Sequence, residues 1–242
     1  MDASPSVLQE FTTSKGFLDL IPPEVLFLCE TKNSTLTVER VLRKEGYKSV
    51  FTVDPMGLSR GLAVAWKDEV RVHIVKHDRF FVYFSIEDPQ AGLKWEIVGV
   101  HLHTDETNRG FQFAKLLQIL EGGSETLAII GDFNAIKNQE EKEGERQKSS
   151  TSIQQFRDFI NERRLVDIGY EGDKYTWSNR QFGENRIKDR LDRALVTNEW
   201  KGEFPATTLA HLSDSGSDHK VILLNTGGEE RRVKKRFRFQ ER

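Results

Sequence analysis

The sequence contains a single cysteine, Cys29, among its 242 residues, so no disulfide can form within the chain. A chain of this length buries enough apolar surface to fold without such links, and scarce cysteine favours a reducing compartment. No apolar run approaches the roughly 18 residues that a membrane helix needs, and the N-terminus lacks a basic-then-apolar leader pattern. The sequence therefore predicts an intracellular protein without a membrane span. Cys29 lies in an apolar segment and is predicted to be a buried side chain rather than a nucleophile.

The sequence also lacks several common catalytic and binding patterns. No cysteine–histidine group has zinc-site spacing, no glycine-rich loop could enclose a nucleotide phosphate, and no serine stands at a nucleophile elbow. The formal net charge of −2 does not by itself indicate a nucleic-acid partner, but the charges are uneven: glutamates cluster in 138–145, and a basic tail occupies 231–242. That tail could neutralise DNA phosphates or act as a nuclear-localisation patch, and the alternative is a solvated terminus.

Three polar clusters stand next to short apolar runs. Gly131-Asp132-Phe133-Asn134 and Glu30-Thr31-Lys32 each follow such a run, and Ser217-Asp218-His219 stands just before one. Short apolar runs bounded by turn residues are typical of buried strands, and α/β sheets hold their ligand chemistry at strand ends. The three clusters can meet only if their strands lie side by side. The sequence therefore predicts an active site at one end of a sheet.

These clusters, taken in order, resemble the motifs of the endonuclease/exonuclease/phosphatase superfamily, which includes apurinic/apyrimidinic endonucleases. The chain is most similar to the endonuclease domain of plant LINE-type (non-LTR) retrotransposons. That resemblance rests on Tyr175-Thr176-Trp177-Ser178-Asn179 and Arg190-Leu191-Asp192-Arg193, which precede the Ser-Asp-His cluster in family order. It extends from about Pro5 onward, and Phe237-Arg238-Phe239 resembles the segment that usually follows the domain. Each motif alone would be weak, but the ordered set is specific.

The resemblance implies an α/β (α+β) four-layer sandwich, in which two packed mixed β-sheets are flanked by helices. It implies one domain over residues 1–226, truncated at its N-terminus, followed by a basic tail over 227–242. Apolar periodicity predicts helices over 4–20, 36–45, 108–120 and 152–164. Strands are predicted over 25–29, 49–53, 61–66, 70–75, 80–86, 95–101, 127–130, 174–177, 191–196, 210–212 and 220–224.

The residue types also suit metal-dependent cleavage of a phosphodiester. That reaction needs neutralised phosphate oxygens, an oriented water and help for the leaving oxygen, and hard carboxylate ligands suit Mg²⁺ or Mn²⁺. The resemblance implies that Glu30 and Asp218 hold the metal. It also implies that Asp132 orients or deprotonates the attacking water, while Asn134 holds Asp132 or the phosphate.

An imidazole that acts on a phosphate needs a partner to fix its orientation, and a carboxylate is the usual one. The resemblance implies that His219 contacts the scissile phosphate, as acid, base or electrostatic clamp, and that Asp192 is its partner. The implied substrate is DNA, contacted through its phosphate backbone. The residues implied to bind it are His101, Thr176, Trp177 and Asn179. No oligomeric state is indicated.

Two positions depart from the family pattern. Members usually open with a strand ending in a Trp-Asn-Cys-Arg-Gly-like motif, whose Asn supports the metal site, whereas this sequence opens with Met1-Asp2-Ala3-Ser4-Pro5. We therefore expect the first, central strand to be missing and sheet edges to be exposed. The tyrosine expected at the end of the 95–101 strand is replaced by His101, which either substitutes for a phosphate-binding phenol or forms a metal pair with His103. We favour the substitution.

Three hypotheses of function follow. The first is an Mg²⁺-dependent endonuclease, derived from a non-LTR retrotransposon, that nicks DNA and leaves a 3′-hydroxyl. The second is a catalytically impaired relic that retains the fold and weak nucleic-acid binding, suggested by the missing strand and by His101. The third is another phosphoesterase of the superfamily. Each motif also has a structural alternative: Asp132 to Asn134 as an Asx-turn, Asp192 as a surface ion pair, and Trp177 as a core residue.

Overall fold

The computed structural model of the protein describes six ranges of the chain: 6–11, 23–55, 61–89, 92–144, 147–212 and 217–227. In 6–11 it describes the backbone alone. Residues 228–242 of the predicted basic tail, and residues 12–20 of the predicted N-terminal helix, lie outside the described residues. Within the six ranges, no helix is long and apolar enough to cross a membrane.

The secondary structure is named in chain order. The first eight strands are β1 Ser6–Phe11, β2 Val25–Cys29, β3 Ser49–Val53, β4 Leu62–Trp66, β5 Arg71–Asp78, β6 Phe81–Asp88, β7 Leu93–His101 and β8 Leu127–Asp132. The next eight are β9 Lys142–Glu143, β10 Val166–Asp167, β11 Glu171–Gly172, β12 Trp177–Ser178, β13 Lys188–Asp189, β14 Asp192–Val196, β15 Thr208–His211 and β16 Ile222–Asn225. The α-helices are α1 Thr35–Lys44, α2 Glu106–Ile119, α3 Ser150–Glu162 and α4 Asn198–Glu203.

The strands form two large mixed sheets and one small sheet. The first sheet has seven strands in the order β11-β15-β16-β1-β2-β4-β3. The second has six in the order β10-β14-β8-β7-β6-β5, and β12-β13-β9 form the small sheet. In the second sheet β7 and β8 are parallel, while β14 runs antiparallel to β8. This arrangement brings the C-terminal ends of β7 and β8 beside the N-terminal end of β14.

The main core lies between the two large sheets. Val25, Phe27 and Val64 from the first sheet pack with residues of the second such as Phe84 and Ile130, and all five side chains are fully buried. Along β2, β6 and β8 alternate residues enter this core because successive side chains of a strand point to opposite faces. The inter-sheet core therefore extends up to the strand ends that bear the polar clusters.

Helices cover the outer faces of both sheets. Helix α1 buries Val38 and Leu42 against the first sheet. Helices α2 and α3 cover the second, where Phe113, Phe156 and Phe159 stack on one another above the strands. The order of layers is thus helix, sheet, sheet, helix. The predicted four-layer α/β fold with two packed mixed sheets is confirmed.

Side-chain caps fix where three of the helices begin. Asp105 accepts a hydrogen bond from the Asn108 N–H at the start of α2, and Ser149 accepts one from the Ser152 N–H at the start of α3. At the start of α4, the Thr197 side chain accepts a hydrogen bond from the Trp200 N–H. Such caps satisfy N–H groups that have no partner within the helix. The predicted helices over 36–45, 108–120 and 152–164 are confirmed to within two residues at each end, and α4 was not predicted.

Two predictions for the N-terminal segment are wrong over residues 6–11. A helix was expected to begin at Ser4, and the first central strand was expected to be missing. Instead, Ser6–Phe11 forms β1, which pairs in parallel with β2 and antiparallel with β16. Since β1 fills the interior of the first sheet, neither neighbouring strand is left as an exposed edge.

Candidate active site

Three polar residues form a row across adjacent strands of the second sheet. His101, the last residue of β7, lies opposite Asp132, the last of β8, and Asp132 lies opposite Asp192, the first of β14. Residues paired in this way point to the same face of a sheet. That face also bears Ile130 and Ala194, which belong to the inter-sheet core. The row therefore stands at the end of the cleft between the two sheets.

Glu30 reaches the same place from the first sheet. It follows β2 directly, and its Oε1 lies 3.7 Å from His101 Nε2. The same imidazole nitrogen lies 3.7 Å from Asp132 Oδ2, so the two carboxylates face one another across His101. Glu30 also forms an ion pair with Lys32 at 3.0 Å. Its φ of 53° is in the left-handed region, which non-glycine residues seldom adopt outside functional sites and turns.

Asn134 holds the Asp132 carboxylate in place. Its backbone N–H donates to Asp132 Oδ1 at 2.8 Å, and its side-chain amide donates to Oδ2, also at 2.8 Å. The same amide donates to the Leu102 carbonyl at 2.8 Å. The Asx-turn considered as the structural alternative is thus present, and it serves to orient a buried carboxylate. Both residues are buried.

Gly131 allows the strand to approach its neighbour this closely. Its φ is +149°, and a Cβ placed there would overlap the Val100 carbonyl oxygen of β7.

We expect Gly131→Ala to lower the free energy of unfolding by about 3 kcal/mol, because both backbone strain and overpacking oppose it. Urea unfolding measures this. Gly202→Ala, at a helical position with no atom within 4 Å of the new Cβ, is the matched control and should be neutral or slightly stabilising; equal losses in the two variants would contradict the prediction.

Asp192 and His219 form a hydrogen-bonded pair. His219 Nδ1 lies 3.0 Å from Asp192 Oδ2, which leaves Nε2 directed toward Asp132 Oδ2 at 4.0 Å. Asp192 is fully buried and the His219 side chain is 12% exposed. The pair supplies the orientation that a catalytic imidazole requires, because the carboxylate fixes one ring nitrogen and frees the other for chemistry.

Burial and neighbouring charges shift the pKa values at the site. Burial, followed by the negative charge of Asp192, raises the pKa of Asp132 to about 7. Burial of His219 lowers its pKa, but the charge and hydrogen bond of Asp192 outweigh this and raise it to about 9. At neutral pH His219 therefore favours its imidazolium form, and Asp132 takes up a proton more readily than an ordinary aspartate does.

Asp218 and Trp177 connect the site to the small sheet. Trp177 forms an isolated β-bridge with His219, and its indole Nε1 donates to Asp218 Oδ2 at 3.1 Å. Burial tends to raise the pKa of Asp218, but His219 and the Trp177 hydrogen bond lower it below its ordinary value. Trp177 is partly buried against a cluster of Ile136, Ile153 and Leu191. The indole is thus both a packed side chain and a partner of a site carboxylate.

Thr176 and Asn179 make internal hydrogen bonds. The Thr176 side chain is fully buried, and its Oγ1 accepts from the N–H groups of Leu191 and Asp192, each at 2.9 Å. Asn179 Oδ1 accepts from Ile187 N–H at 3.0 Å, and its amide donates to the Asn185 carbonyl. Both residues therefore shape the backbone around the site, and a direct contact with substrate stays a prediction for them.

The two histidines at the end of β7 and just after it have different surroundings. His101 lies between Glu30 and Asp132, whereas His103 Nδ1 accepts a hydrogen bond from the Asp105 N–H. His103 thereby helps to form the turn that leads into α2. His101 is thus the histidine of the two that lies with the site carboxylates, and its substitution for a phosphate-binding phenol stays a prediction.

A buried network of ion pairs lies next to the site, and sequence reasoning missed it. Arg190 and Arg193 both contact Glu141 and Asp167, with N–O distances of 2.9–3.1 Å. Lys137 adds a further pair with Asp167 at 2.8 Å. Arg193 is fully buried and also donates to the Arg190 and Ala135 carbonyls. It thereby joins the loop after Asn134 to the corner before Asp192.

The site contains carboxylate oxygens that fit a divalent metal ion. Among the described residues, Asp132, Asp192 and His219 form a group whose ligand atoms lie within 4.8 Å of one another. This group does not include Glu30 or Asp218, so their assignment as the metal ligands stays a prediction. Clustered carboxylate oxygens are the ligands that Mg²⁺ and Mn²⁺ prefer. A cation would also relieve the repulsion among the buried carboxylates, which contributes to the raised pKa of Asp132.

The fold and the site together define a two-sheet α/β sandwich with a carboxylate–imidazole centre at one end of its cleft. The chain matches the Endonuclease/Exonuclease/phosphatase family over residues 6–219 and belongs to that family. No curated protein sequence matches the chain.

Solved structures share the fold at low sequence identity. The endonuclease domain of TRAS1, a telomere-specific non-LTR retrotransposon, superimposes with a TM-score of 0.66 at 14% identity, over 92% of this chain and 98% of that one. An AP endonuclease from Archaeoglobus fulgidus gives a TM-score of 0.68 at 13% identity, over 91% and 98%. A variant of the Neisseria 3′ phosphatase NExo, bound to a product DNA hairpin, gives 0.67 at 15% identity, over 92% and 99%.

Proposed function

We propose that this protein is a divalent-metal-dependent phosphodiesterase that nicks DNA. The observation that supports this most strongly is the convergence of Glu30, His101, Asp132 and the Asp192–His219 pair at one end of the inter-sheet cleft. These residues come from both sheets and from distant parts of the chain. Burying carboxylates and imidazoles together costs free energy of folding. Such a cluster in a cleft therefore indicates a functional site.

Each residue has a role that its surroundings support. Asp132, with a pKa of about 7, is suited to orient a water and take its proton near neutral pH. Asn134 keeps that carboxylate aligned through two hydrogen bonds. His219 presents a cationic Nε2 to the developing phosphate charge, and Asp192 holds the ring in that orientation.

The proposed cofactor is Mg²⁺ or Mn²⁺, held by Glu30 and Asp218. When bound, a divalent ion neutralises phosphate oxygens and stabilises the leaving oxygen. Asp132 and Asp192 offer further oxygen donors in the same cleft. The proposed substrate is the DNA backbone, and the proposed cleavage leaves a 3′-hydroxyl. The similarity of fold to the endonuclease domain of the TRAS1 retrotransposon supports the proposed retrotransposon origin. The proposed domain comprises residues 1–226, and the tail over 227–242 would supply further phosphate contacts or a nuclear-localisation patch.

The hairpin between β12 and β13 supplies a candidate DNA-binding surface. Phe182 near its tip is 91% exposed, and Arg180 and Arg186 on the same hairpin are also exposed. Aromatic side chains stack on bases, and neighbouring arginines contact phosphates. The hairpin begins at Trp177, which bridges to His219, and we propose that bound DNA contacts both the hairpin and the site.

Phe182→Ala is expected to raise KM for plasmid DNA by about 10-fold, with kcat changed less than twofold, because one stacked base contributes about 1–3 kcal/mol. Steady-state nicking at several DNA concentrations measures both constants. Phe111→Ala, which removes a phenylalanine of 71% exposure on helix α2, is the matched control and should change neither. An equal rise in KM for both variants would argue against a specific contact.

The decisive experiment is nicking of supercoiled plasmid by the whole chain. We expect relaxed circles in Mg²⁺ or Mn²⁺, no cleavage in excess chelator, and recovery when the metal is added back. Asp132→Ala should be inactive, and ends that a polymerase extends without treatment would establish the 3′-hydroxyl. Equal nicking by the wild type and Asp132→Ala would refute the proposal, whereas release of phosphate from 3′-phosphorylated oligonucleotides alone would favour the phosphomonoesterase alternative.

A further inference from the structure

Thr176 lies between the two elements that bear Asp192 and His219. Its Oγ1 accepts hydrogen bonds from the N–H groups of Leu191 and Asp192, each at 2.9 Å. Its own carbonyl accepts from Lys220 N–H at 2.7 Å, one residue after His219. One residue therefore contacts the backbone on both sides of the Asp192–His219 hydrogen bond.

The two N–H groups that donate to Thr176 lie at the start of β14, where the regular strand pairing ends. Asp192 is the first residue of β14, and it is fully buried. Buried N–H groups without a partner are costly, so an acceptor at this point decides where the strand can begin. A threonine hydroxyl has two lone pairs and can accept both bonds at once.

The opposite side of the same corner is already held by charged groups. Arg193 donates to the Arg190 carbonyl at 2.8 Å, and Arg190 N–H donates to the Glu141 carbonyl at 2.9 Å. These contacts fix the backbone around Asp192 from the side of the ion-pair network. Thr176 holds the corner from the His219 side, because its hydroxyl binds the Leu191 and Asp192 N–H groups and its carbonyl binds the Lys220 N–H.

We propose that Thr176 is a positioning residue, which sets the separation and orientation of Asp192 and His219 through its hydroxyl and its carbonyl. The catalytic consequence rests on the function proposed above, whereas the structural consequence does not. Because Thr176 is fully buried, we expect it to act through the pair.

Two substitutions separate the hydroxyl from the bulk of the side chain. Thr176→Val keeps the shape and removes the acceptor, and Thr176→Ser keeps the acceptor and removes a methyl group. We expect Thr176→Val to lower kcat for plasmid nicking by about 10–100-fold, the usual effect of removing a group that orients a site residue, with KM within twofold. Thr176→Ser should restore kcat to within about threefold of the wild type.

A second threonine supplies the control for stability. Thr197 Oγ1 also accepts buried backbone N–H groups, from Leu127 at 3.2 Å and Trp200 at 3.3 Å, but at the start of α4. Thr197→Val should destabilise the protein to a similar degree while leaving kcat per folded molecule unchanged. All variants are compared at a temperature where circular dichroism shows them to be fully folded.

A spectroscopic measurement tests the proposal independently of catalysis. In the wild type, the His219 Nδ1 proton bonded to Asp192 should give a downfield ¹H resonance, absent in His219→Ala. That resonance should disappear or move in Thr176→Val and persist in Thr176→Ser and Thr197→Val. An unchanged resonance and kcat in folded Thr176→Val would overturn the proposal. If the wild type cuts no DNA, the proposed function fails, and the resonance alone decides the positioning role.

Discussion

Asp192→Asn and His219→Ala are each expected to lower the turnover number for DNA cleavage by about 10³–10⁴-fold. The double variant should be little slower than His219→Ala alone. The expectation follows from the 3.0 Å hydrogen bond between the two side chains, since residues that work as a unit show strongly non-additive losses.

The two substitutions remove different parts of the Asp192–His219 pair. Asparagine keeps the shape of Asp192 but removes the negative charge that raises the pKa of His219 to about 9. Without that charge the imidazole loses its proton at lower pH, and the amide can present an N–H to Nδ1 and turn the ring. Alanine at 219 removes the cation itself, so a second change at Asp192 has little left to affect.

Single-turnover nicking at saturating DNA measures these losses without interference from product release. Asp158→Asn, an exposed aspartate on α3 that accepts a hydrogen bond from Gln154, is the matched control and should retain full activity. Losses that simply multiply in the double variant would show that the two residues act separately. An active Asp192→Asn would remove the pair from the mechanism.

Arg193→Met is expected to lower the free energy of unfolding by about 3–5 kcal/mol, the largest change in stability that we expect from a single substitution in the described part of the chain. Arg193 is fully buried and contacts both Glu141 and Asp167. Its removal takes one cationic partner away from each of these two buried carboxylates. Methionine fills much of the same volume, so the loss reports mainly on charge.

The same network makes stability sensitive to acid. Burial raises the pKa of Asp167, but the charges and hydrogen bonds of Arg193 and Arg190 outweigh it and hold that pKa well below its ordinary value. The pKa of Glu141 is lowered in the same way: burial raises it, and Arg193 is the main cause of the larger opposite shift. Groups with a lowered folded-state pKa stabilise the protein above their unfolded pKa values, near 4, and this contribution is lost as pH falls. Stability should therefore decline below about pH 4, and less steeply in Arg193→Met.

Urea unfolding at a series of pH values tests both expectations. Arg71→Met is the matched control, because Arg71 forms an exposed pair with Glu87 at 3.8 Å on the edge strand β5. Exposed pairs contribute about 0–1 kcal/mol, so this variant should be close to the wild type. A loss for Arg193→Met no larger than for Arg71→Met would show that the buried network contributes little.

The apolar strands of the second sheet could be predicted closely, since β6, β7 and β8 read as apolar runs bounded by turn residues. The site residues Asp132 and His219 could be located because they adjoin such runs.

Strand β1 could not be predicted from its local sequence. Val7, Leu8 and Phe11 also fit helical spacing, and the segment is a strand because β2 and β16 pair with it on either side. Pairing of this kind is a tertiary effect that propensity does not record.

The ion-pair network was hidden for a different reason. Arginines and acidic residues in a sequence usually form a solvated face, and nothing local to Arg190 and Arg193 indicates burial. The only signal was their position on either side of Asp192. Because they turn toward Glu141 and Asp167, Asp192 remains available to His219 and is not taken up in the surface ion pair considered as its structural alternative. Glu141 and Asp167 come from distant segments of the chain that only the fold brings together.

The central position of β1 has a consequence for how the protein is made. Ser6 pairs with Asn225, so the first sheet cannot close until nearly the whole described chain has left the ribosome. Strands β5 to β8 follow one another in sequence and can associate early, whereas one edge of β1 stays open until β16 has been made. His219 stands just before β16, and the carboxylates of the cleft therefore meet their imidazole only in the last stage of synthesis.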